Sequence, residues 1–170
     1  NGHPNIVPYR TFEAADGEIA ISVGNDDQFD RLAGLLGHPE WGSDPRFGRN
    51  RDRVEHRELV DSMIQDVVQD RTRSEWIELL DEAGIPSGPI NTVAEALDSP
   101  QTRGRGMVTE IEHPVVGMMK MLGIPIRQEG TPGTIRRHPP MLGEHTDEIL
   151  GEYLAMPTAE IERLRSAGVV

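Results

Sequence analysis

The sequence predicts a mixed α/β fold, in which a small α+β domain with one hairpin and several helices precedes a tail of strands, crossover and helices. Three observations predict it. An Asp-Gly pair at 16–17 separates two short strand-like runs, which is typical of a β-hairpin. Several stretches place apolar residues at i, i+3, i+4 and i+7, the spacing of an amphipathic helix. A second pair of apolar runs begins near residue 107 and leads into a Pro- and Gly-rich stretch.

The first part opens with the hairpin, predicted as strands at 11–15 and 18–23. Residues 24–27 supply helix-start chemistry for a short helix that ends at Gly37. Residues 38–48 are rich in Pro, Gly and Asp and are predicted to form a loop. The longest helix is predicted over 50–70, where the apolar residues at helical spacing are Val60, Met63, Ile64, Val67 and Val68.

Two capping-box matches follow. Thr72 with Glu75 predicts the start of a helix that stops at Gly84, and Thr92 with Glu95 predicts a shorter helix. Residues 85–90 between them are expected to be an extended connector.

The tail is predicted to begin with strands at 107–112 and 118–126, followed by a crossover over 127–144. Two closing helices follow, one from Thr158 and an earlier one with an apolar face. We place the two parts at 1–100 and 101–170, with the junction within 96–104. The apolar residues of the two helices are Ile149, Leu150, Tyr153 and Leu154, then Ile161 and Leu164.

Charge and cysteine content exclude several classes of protein. The formal net charge is −12, which argues against nucleic-acid partners and a polybasic membrane anchor. The absence of cysteine excludes disulfides, zinc ribbons, Fe–S clusters and thiol catalysis, and fits a cytoplasmic protein. No apolar run approaches the ~18 residues of a membrane span. Because the chain begins at Asn1 rather than Met, we expect a portion of a longer protein.

No catalytic or metal-binding constellation is visible. The six histidines show no H-E-x-x-H spacing, and the acids around His145 match ordinary helix-start chemistry, so no metal is predicted. Neither a G-x-S-x-G elbow nor a phosphate-binding glycine loop is present. We therefore assign no catalytic residue.

Two features carry open alternatives. The arginine cluster, defined as Arg46, Arg49, Arg51, Arg53 and Arg57, could bind phosphate or carboxylate groups. We favour the other interpretation, a solvated helix start with Asp52, Glu55 and Glu58 as local partners. The opening arm, residues 1–10, is typical of a mobile lid over a site and equally of a frayed terminus.

Four runs resemble one known family, in the same order along the chain: HPNIVPYRTFEAADGEIAISVGNDDQFDRL (3–32), GIPSGPINTVAEALDSPQTRGRGMV (84–108), EIEHPVVG (110–117) and HPPMLGEHTDEIL (138–150). They resemble the family III CoA-transferases, which include carnitine-CoA, bile-acid-CoA and formyl-CoA transferases and α-methylacyl-CoA racemase. The GNDDQF run at 24–29 is more similar to the dicarboxylate and carnitine transferase branch.

The resemblance implies an interlocked homodimer of larger, two-domain subunits. A Rossmann-like large domain would bind the acyl-CoA and carry an aspartate nucleophile, with the CoA thioester as substrate and no permanently bound cofactor. The present chain resembles the small domain (1–100) and the tail that returns to the missing large domain (101–170). The fragment alone is therefore expected to be inactive.

The resemblance also implies site residues and partners. Gly2, His3 and Pro4 are the candidates for lid residues near the acyl-CoA, and the second substrate is a carboxylic acid. The strands at 107–126 would pack on the large domain and leave this chain prone to self-association. Two alternatives stay open: a racemase of the same family, which needs a base pair for α-proton exchange, and a non-catalytic acidic interaction module.

Overall fold

A three-stranded antiparallel sheet lies at the start of the chain. In a computed structural model, which describes residues 1–170, the strands are β1 (Tyr9–Ala14), β2 (Gly17–Ser22) and β3 (Ser87–Pro89), in the order β1-β2-β3. The hairpin prediction is confirmed, with Phe12 opposite Ile19 across the β1–β2 ladder. Residues 85–90 were expected only to be extended; β3 within them pairs with β2.

Five helices complete this part: α1 (Asp26–Leu35), α2 (Glu40–Ser43), α3 (Asn50–Glu55), α4 (Arg57–Val68) and α5 (Arg73–Glu82). Two predicted caps are present, since the Asn25 side chain accepts a hydrogen bond from the Gln28 amide and Thr72 forms a complete capping box with Glu75.

Two predictions about these helices were wrong in detail. The loop at 38–48 contains the short helix α2. The helix predicted over 50–70 is interrupted at His56, whose φ and ψ of −109° and 26° lie outside the helical region. The imidazole Nδ1 of His56 lies 2.9 Å from the Asp52 carbonyl oxygen, which the His56 amide also uses. The spacing of apolar residues does not show that a side chain competes with a backbone amide for the same carbonyl oxygen.

The core of this part lies between the sheet and helices α1, α4 and α5. Burying large apolar side chains stabilises a fold by about 1.5–3 kcal/mol each. Trp76 is buried and its indole N–H donates to the Val68 carbonyl at 2.7 Å. The other large buried side chains include Phe12, Ile19, Ile21, Phe29, Leu32, Phe47, Ile64, Leu80 and Ile85.

The chain divides into two compact units, residues 1–92 and 93–170. The second unit contains α6 (Val93–Asp98), α7 (Pro100–Gly104), β4 (Val108–His113), β5 (Gly117–Leu122), α8 (Thr146–Leu154) and α9 (Thr158–Ser166). Strands β4 and β5 form a separate antiparallel pair, as predicted, although β5 ends earlier than residue 126. Helix α7 was not predicted. The mixed α/β class is confirmed.

The second unit has few fully buried side chains. Ile161 is its one buried residue, and the side chains predicted to form an apolar face on α8 are largely exposed. Helical spacing was thus predicted correctly, but this chain supplies no cover for that face. The exposed large apolar residues of this unit include Val115, Val116, Met118, Leu122, Ile126, Leu142, Ile149, Tyr153 and Leu154.

None of the helices is both long enough and apolar enough to cross a lipid bilayer.

Candidate functional site

The opening arm forms a loop closed between His3 and Tyr9, and residues 2–4 at its N-terminal end, of which Gly2 and Pro4 are exposed, are called the tip. The His3 amide donates to the Tyr9 carbonyl at 2.9 Å, and the two rings stack with centroids 5.3 Å apart. The Asn5 amide donates to His3 Nδ1 at 3.1 Å. Val7, at the base of the loop, is fully buried, whereas Gly2 and Pro4 at the tip are exposed. The arm therefore combines a fixed base with an accessible tip.

Arg53 fixes the base of this loop from the core. Its guanidinium is 0% exposed and donates to the Val7 carbonyl at 2.7 Å, the Phe47 carbonyl at 2.8 Å and Asp26 Oδ1 at 2.8 Å. It also lies over the ring of Phe29, 4.3 Å from the centroid. Burial lowers the pKa of Arg53, and the hydrogen bond and charge of Asp26 oppose that effect.

Two further side chains of α3 and α4 hold the arm. Asn50 accepts from the Val7 amide at 3.1 Å and donates to the Asn5 carbonyl at 2.8 Å. Arg57 donates to the Pro4 carbonyl at 2.8 Å. The spacing of i, i+3 and i+7 places Asn50, Arg53 and Arg57 along one side of the helical stretch, although the helix is interrupted between them.

The favoured interpretation of the arginine cluster, a solvated helix start, was therefore wrong for part of the cluster. Arg46 and Arg51 match it: Arg46 pairs with Asp44 at 2.7 Å and lowers the pKa of that carboxyl to about 2, and Arg51 pairs with Glu55 at 3.3 Å. Arg53 does not, because three acceptors from separate segments converge on it in the core. Acidic neighbours in the sequence do not show which hydrogen-bond acceptors from other segments lie next to an arginine once the chain has folded.

A cleft of about 350 Å³ lies between β1 and α4, beside the arm. Arg10 Nη1 donates to Asp61 Oδ2 at 2.9 Å, and the other oxygen of this buried carboxylate, Oδ1, has no hydrogen-bond partner within the chain. Arg57 lines the same cleft while it holds Pro4. The cleft and the arm are thus linked through one guanidinium.

Gly2, His3 and Pro4 are consecutive and form the tip of the arm, and no acid is hydrogen-bonded to any of them. Gly2 has no positive φ, and an added Cβ would lie 3.5 Å from Arg57 Nη1, an ordinary contact. Nothing within this chain therefore requires glycine at this position.

Asp147 and Glu148 lie in the first turn of α8, as expected, but no side chain caps this helix and the two carboxylates pair with Arg165 and Arg137. His138 Nε2 lies 3.4 Å from Glu144 Oε1, and His145 Nδ1 lies 3.4 Å from Glu148 Oε2. The hydrogen bond from Arg137 lowers the pKa of Glu148. No three His, Asp or Glu side chains in residues 1–170 are grouped so that they could hold a metal ion.

Sequence reasoning missed Asn50, the residue that contacts the arm at two positions. Its spacing of three and seven residues from Arg53 and Arg57 is the signal that could have found it, because a polar residue on the same helix side points at the same neighbour.

The chain belongs to the CoA-transferase family III, whose family model matches residues 1–146. It is 35% identical over 168 residues to the human succinyl-CoA:glutarate CoA-transferase, which covers 99% of this chain and 38% of that protein. It is 32% identical to the succinyl-CoA–D-citramalate CoA-transferase of Chloroflexus aurantiacus, over 98% of this chain and 42% of that protein. The chain thus spans about two fifths of the length of these relatives.

The fold is similarly shared with part of a solved structure. A CAIB/BAIF family protein from Brucella suis matches 89% of this chain with a TM-score of 0.75 and 37% identity, and the match covers 39% of that protein. The expected family membership is confirmed.

Proposed function

We propose that this chain is the C-terminal portion of an acyl-CoA:carboxylate CoA-transferase. The observation that carries the proposal is the family match over residues 1–146, together with near-complete coverage of this chain by relatives named CoA-transferases. The chain covers only about two fifths of those relatives, which supports a catalytic nucleophile outside this chain.

The proposed reaction uses an aspartate of the missing large domain. Its carboxylate attacks the acyl-CoA carbonyl, the C–S bond breaks, and a mixed anhydride and CoA thiolate form. The thiolate then attacks the aspartyl carbonyl, which gives an aspartyl-CoA thioester and releases the first acid. The acceptor carboxylate then attacks the aspartyl-CoA carbonyl, which releases the CoA thiolate and forms a second mixed anhydride. The thiolate attacks the acceptor carbonyl of this anhydride, so that the acceptor leaves as its CoA thioester and the aspartate is regenerated. CoA is a substrate in this scheme, and no permanent cofactor takes part.

We assign the substrates to the small dicarboxylic acids and their CoA thioesters. Relatives 32–35% identical to this chain are named for transfers from succinyl-CoA to glutarate, D-citramalate or L-malate. The relatives named for oxalate match a smaller share of this chain, 76% and 84%.

The arm supplies the lid in this proposal. Gly2, His3 and Pro4 would lie against the acyl-CoA, and closure over the site would exclude water from the thioester and anhydride. The anchored base and exposed tip of the arm support this role.

The second unit, with the strands at 107–126, would pack on the large domain, whether of its own subunit or of its partner in a homodimer. Its exposed apolar residues support this assignment, because a surface of this kind marks an interaction site. In the same proposal the small domain spans residues 1–100 and the tail spans residues 101–170. The protein is also proposed to be cytoplasmic. The fragment alone would be inactive.

The test uses the full-length protein that contains this chain. Purified enzyme should convert succinyl-CoA and glutarate to glutaryl-CoA and succinate, and hydroxylamine should trap an acyl-aspartate upstream of Asn1. Epimerisation of a 2-methylacyl-CoA without an acceptor acid would instead identify a racemase. Absence of both activities would favour the non-catalytic acidic module.

A further inference from the structure

The loop of the arm is held through its main chain rather than through its side chains. Asn50, Arg53 and Arg57 contact the Pro4 carbonyl, the Asn5 carbonyl, and both the amide and the carbonyl of Val7. Three side chains from one helical stretch thus bind backbone groups of three arm residues. Arginine donors to carbonyl oxygens form charge-assisted hydrogen bonds, which are stronger than neutral ones.

Two of the three anchoring residues, Asn50 and Arg53, are themselves held in place. Asp26 Oδ1, at the start of α1, accepts hydrogen bonds from the Asn50 amide and from the guanidinium of Arg53, both at 2.8 Å. Arg53 is further held by the Phe47 carbonyl. A group that is oriented by its own partners positions its neighbour more closely than a freely rotating side chain does.

We propose that Asn50 and Arg57 are positioning residues for the proposed transfer reaction. They hold the Gly2–Pro4 tip at a fixed position relative to the acyl-CoA, while Arg53 fixes the base of the arm at Val7. This inference rests on the proposed function and on the assignment of the tip as the lid. Because the anchors use backbone atoms, they leave the exposed Pro4 side chain free to contact the acyl-CoA, while the His3 ring stays packed on Tyr9.

The position of the tip decides how well water is excluded. Water that reaches a CoA thioester attacks its carbonyl carbon, the C–S bond breaks, and the thiolate takes the proton, which leaves a carboxylic acid and free CoA. A displacement of about 1 Å in a positioned group is enough to change reaction rates substantially. Loss of the anchors should therefore raise hydrolysis relative to transfer, an effect that a purely structural role would not produce.

The first experiment measures amide hydrogen exchange in the 170-residue chain. In Asn50→Ala the Val7 amide loses its acceptor, so its exchange should become about tenfold faster or more. The exchange of core amides, such as that of Leu80, should stay unchanged. In Arg57→Ala the His3 and Asn5 amides should exchange several-fold faster. Arg51→Ala is the matched control, because Arg51 lies in α3 beside Asn50, with 86% of its side chain exposed, and pairs with Glu55.

The second experiment measures both products in the full-length enzyme. Free CoA thiol reports hydrolysis, and the new acyl-CoA reports transfer. Arg57→Ala and Asn50→Ala should raise the ratio of hydrolysis to transfer at least fivefold, Arg57→Lys should restore part of the difference through one remaining donor, and Arg51→Ala should match the wild type.

Three results would overturn the inference. Unchanged exchange of the arm amides in both alanine variants shows that the contacts do not anchor the arm. Faster exchange with an unchanged ratio of hydrolysis to transfer shows an anchor without a role in positioning. A wild-type enzyme without transfer activity removes the proposed function and this inference with it, and the exchange data then describe a structural contact only.

Discussion

Replacement of Arg53 by methionine should destabilise the first unit far more than the same change at Arg51. Arg53→Met keeps most of the side-chain volume but removes the donors to the Val7 and Phe47 carbonyls, both buried contacts. Each buried acceptor left without a donor costs about 1–3 kcal/mol. Asp26 is half exposed and regains water, so its lost ion pair counts for little.

Two effects offset part of this loss. Methionine avoids the desolvation of a buried charge, and its sulfur can contact the Phe29 ring in place of the guanidinium. The expected net loss is about 3 kcal/mol in the free energy of unfolding, against about 0.5 kcal/mol for Arg51→Met, which breaks one exposed i,i+4 pair.

The assay is urea denaturation of the 170-residue chain followed by tryptophan fluorescence, which reports on the first unit because Trp41 and Trp76 both lie there. With a slope of about 2 kcal/mol/M, the midpoint of Arg53→Met should fall by about 1.5 M and that of Arg51→Met by less than about 0.3 M. Equal midpoints for the two variants would refute the assignment of Arg53 as a buried anchor.

Three further predictions concern the tip, the acid stability and the second unit. Gly2→Ala should leave the melting temperature of the chain unchanged, because the added Cβ makes only an ordinary contact. It should lower the transfer activity of the full-length enzyme at least tenfold. A variant that loses melting temperature and transfer activity together would contradict the lid assignment. The pKa of Asp44 is lowered by Arg46 from 3.8 to about 2 in the folded chain, so its contribution to stability is present above pH 3.8 and is lost as the pH falls toward 2. Asp44→Asn should make acid denaturation curves shallower in that range, and unchanged curves would show that the pair does not affect stability. The chain should self-associate in light scattering at high concentration, and Tyr153→Glu, at a position 79% exposed, should reduce the association; a monodisperse wild-type monomer would count against an uncovered interface.

The sequence predicted the local elements well where short-range chemistry decides them. The Asp-Gly turn, the Asn25 cap and the capping box at Thr72 depend on neighbours within about four residues, and all three occur as expected. The interruption at His56 escaped prediction because apolar residues keep helical spacing through it. The pairing of β3 with β2 escaped for a different reason, since the two strands are separated by most of the first unit.

The family resemblance was predicted from four runs of sequence and was confirmed, because the order of motifs along a chain needs no tertiary information. The lid tip was also proposed from sequence, as an assignment of residues and not of geometry. What the sequence could not show is that the arm is closed by His3 and Tyr9 and held at its base.

By itself the sequence determined most of the helices, the two hairpins and the family, since these follow from local spacing and from ordered motifs. Only the tertiary structure decided which arginine is buried. Arg51 and Arg53 stand two residues apart in equally acidic surroundings, yet opposite sides of one helix face solvent and core. The acceptors of Arg53 come from three separate segments, so its role as an anchor exists only once those segments meet.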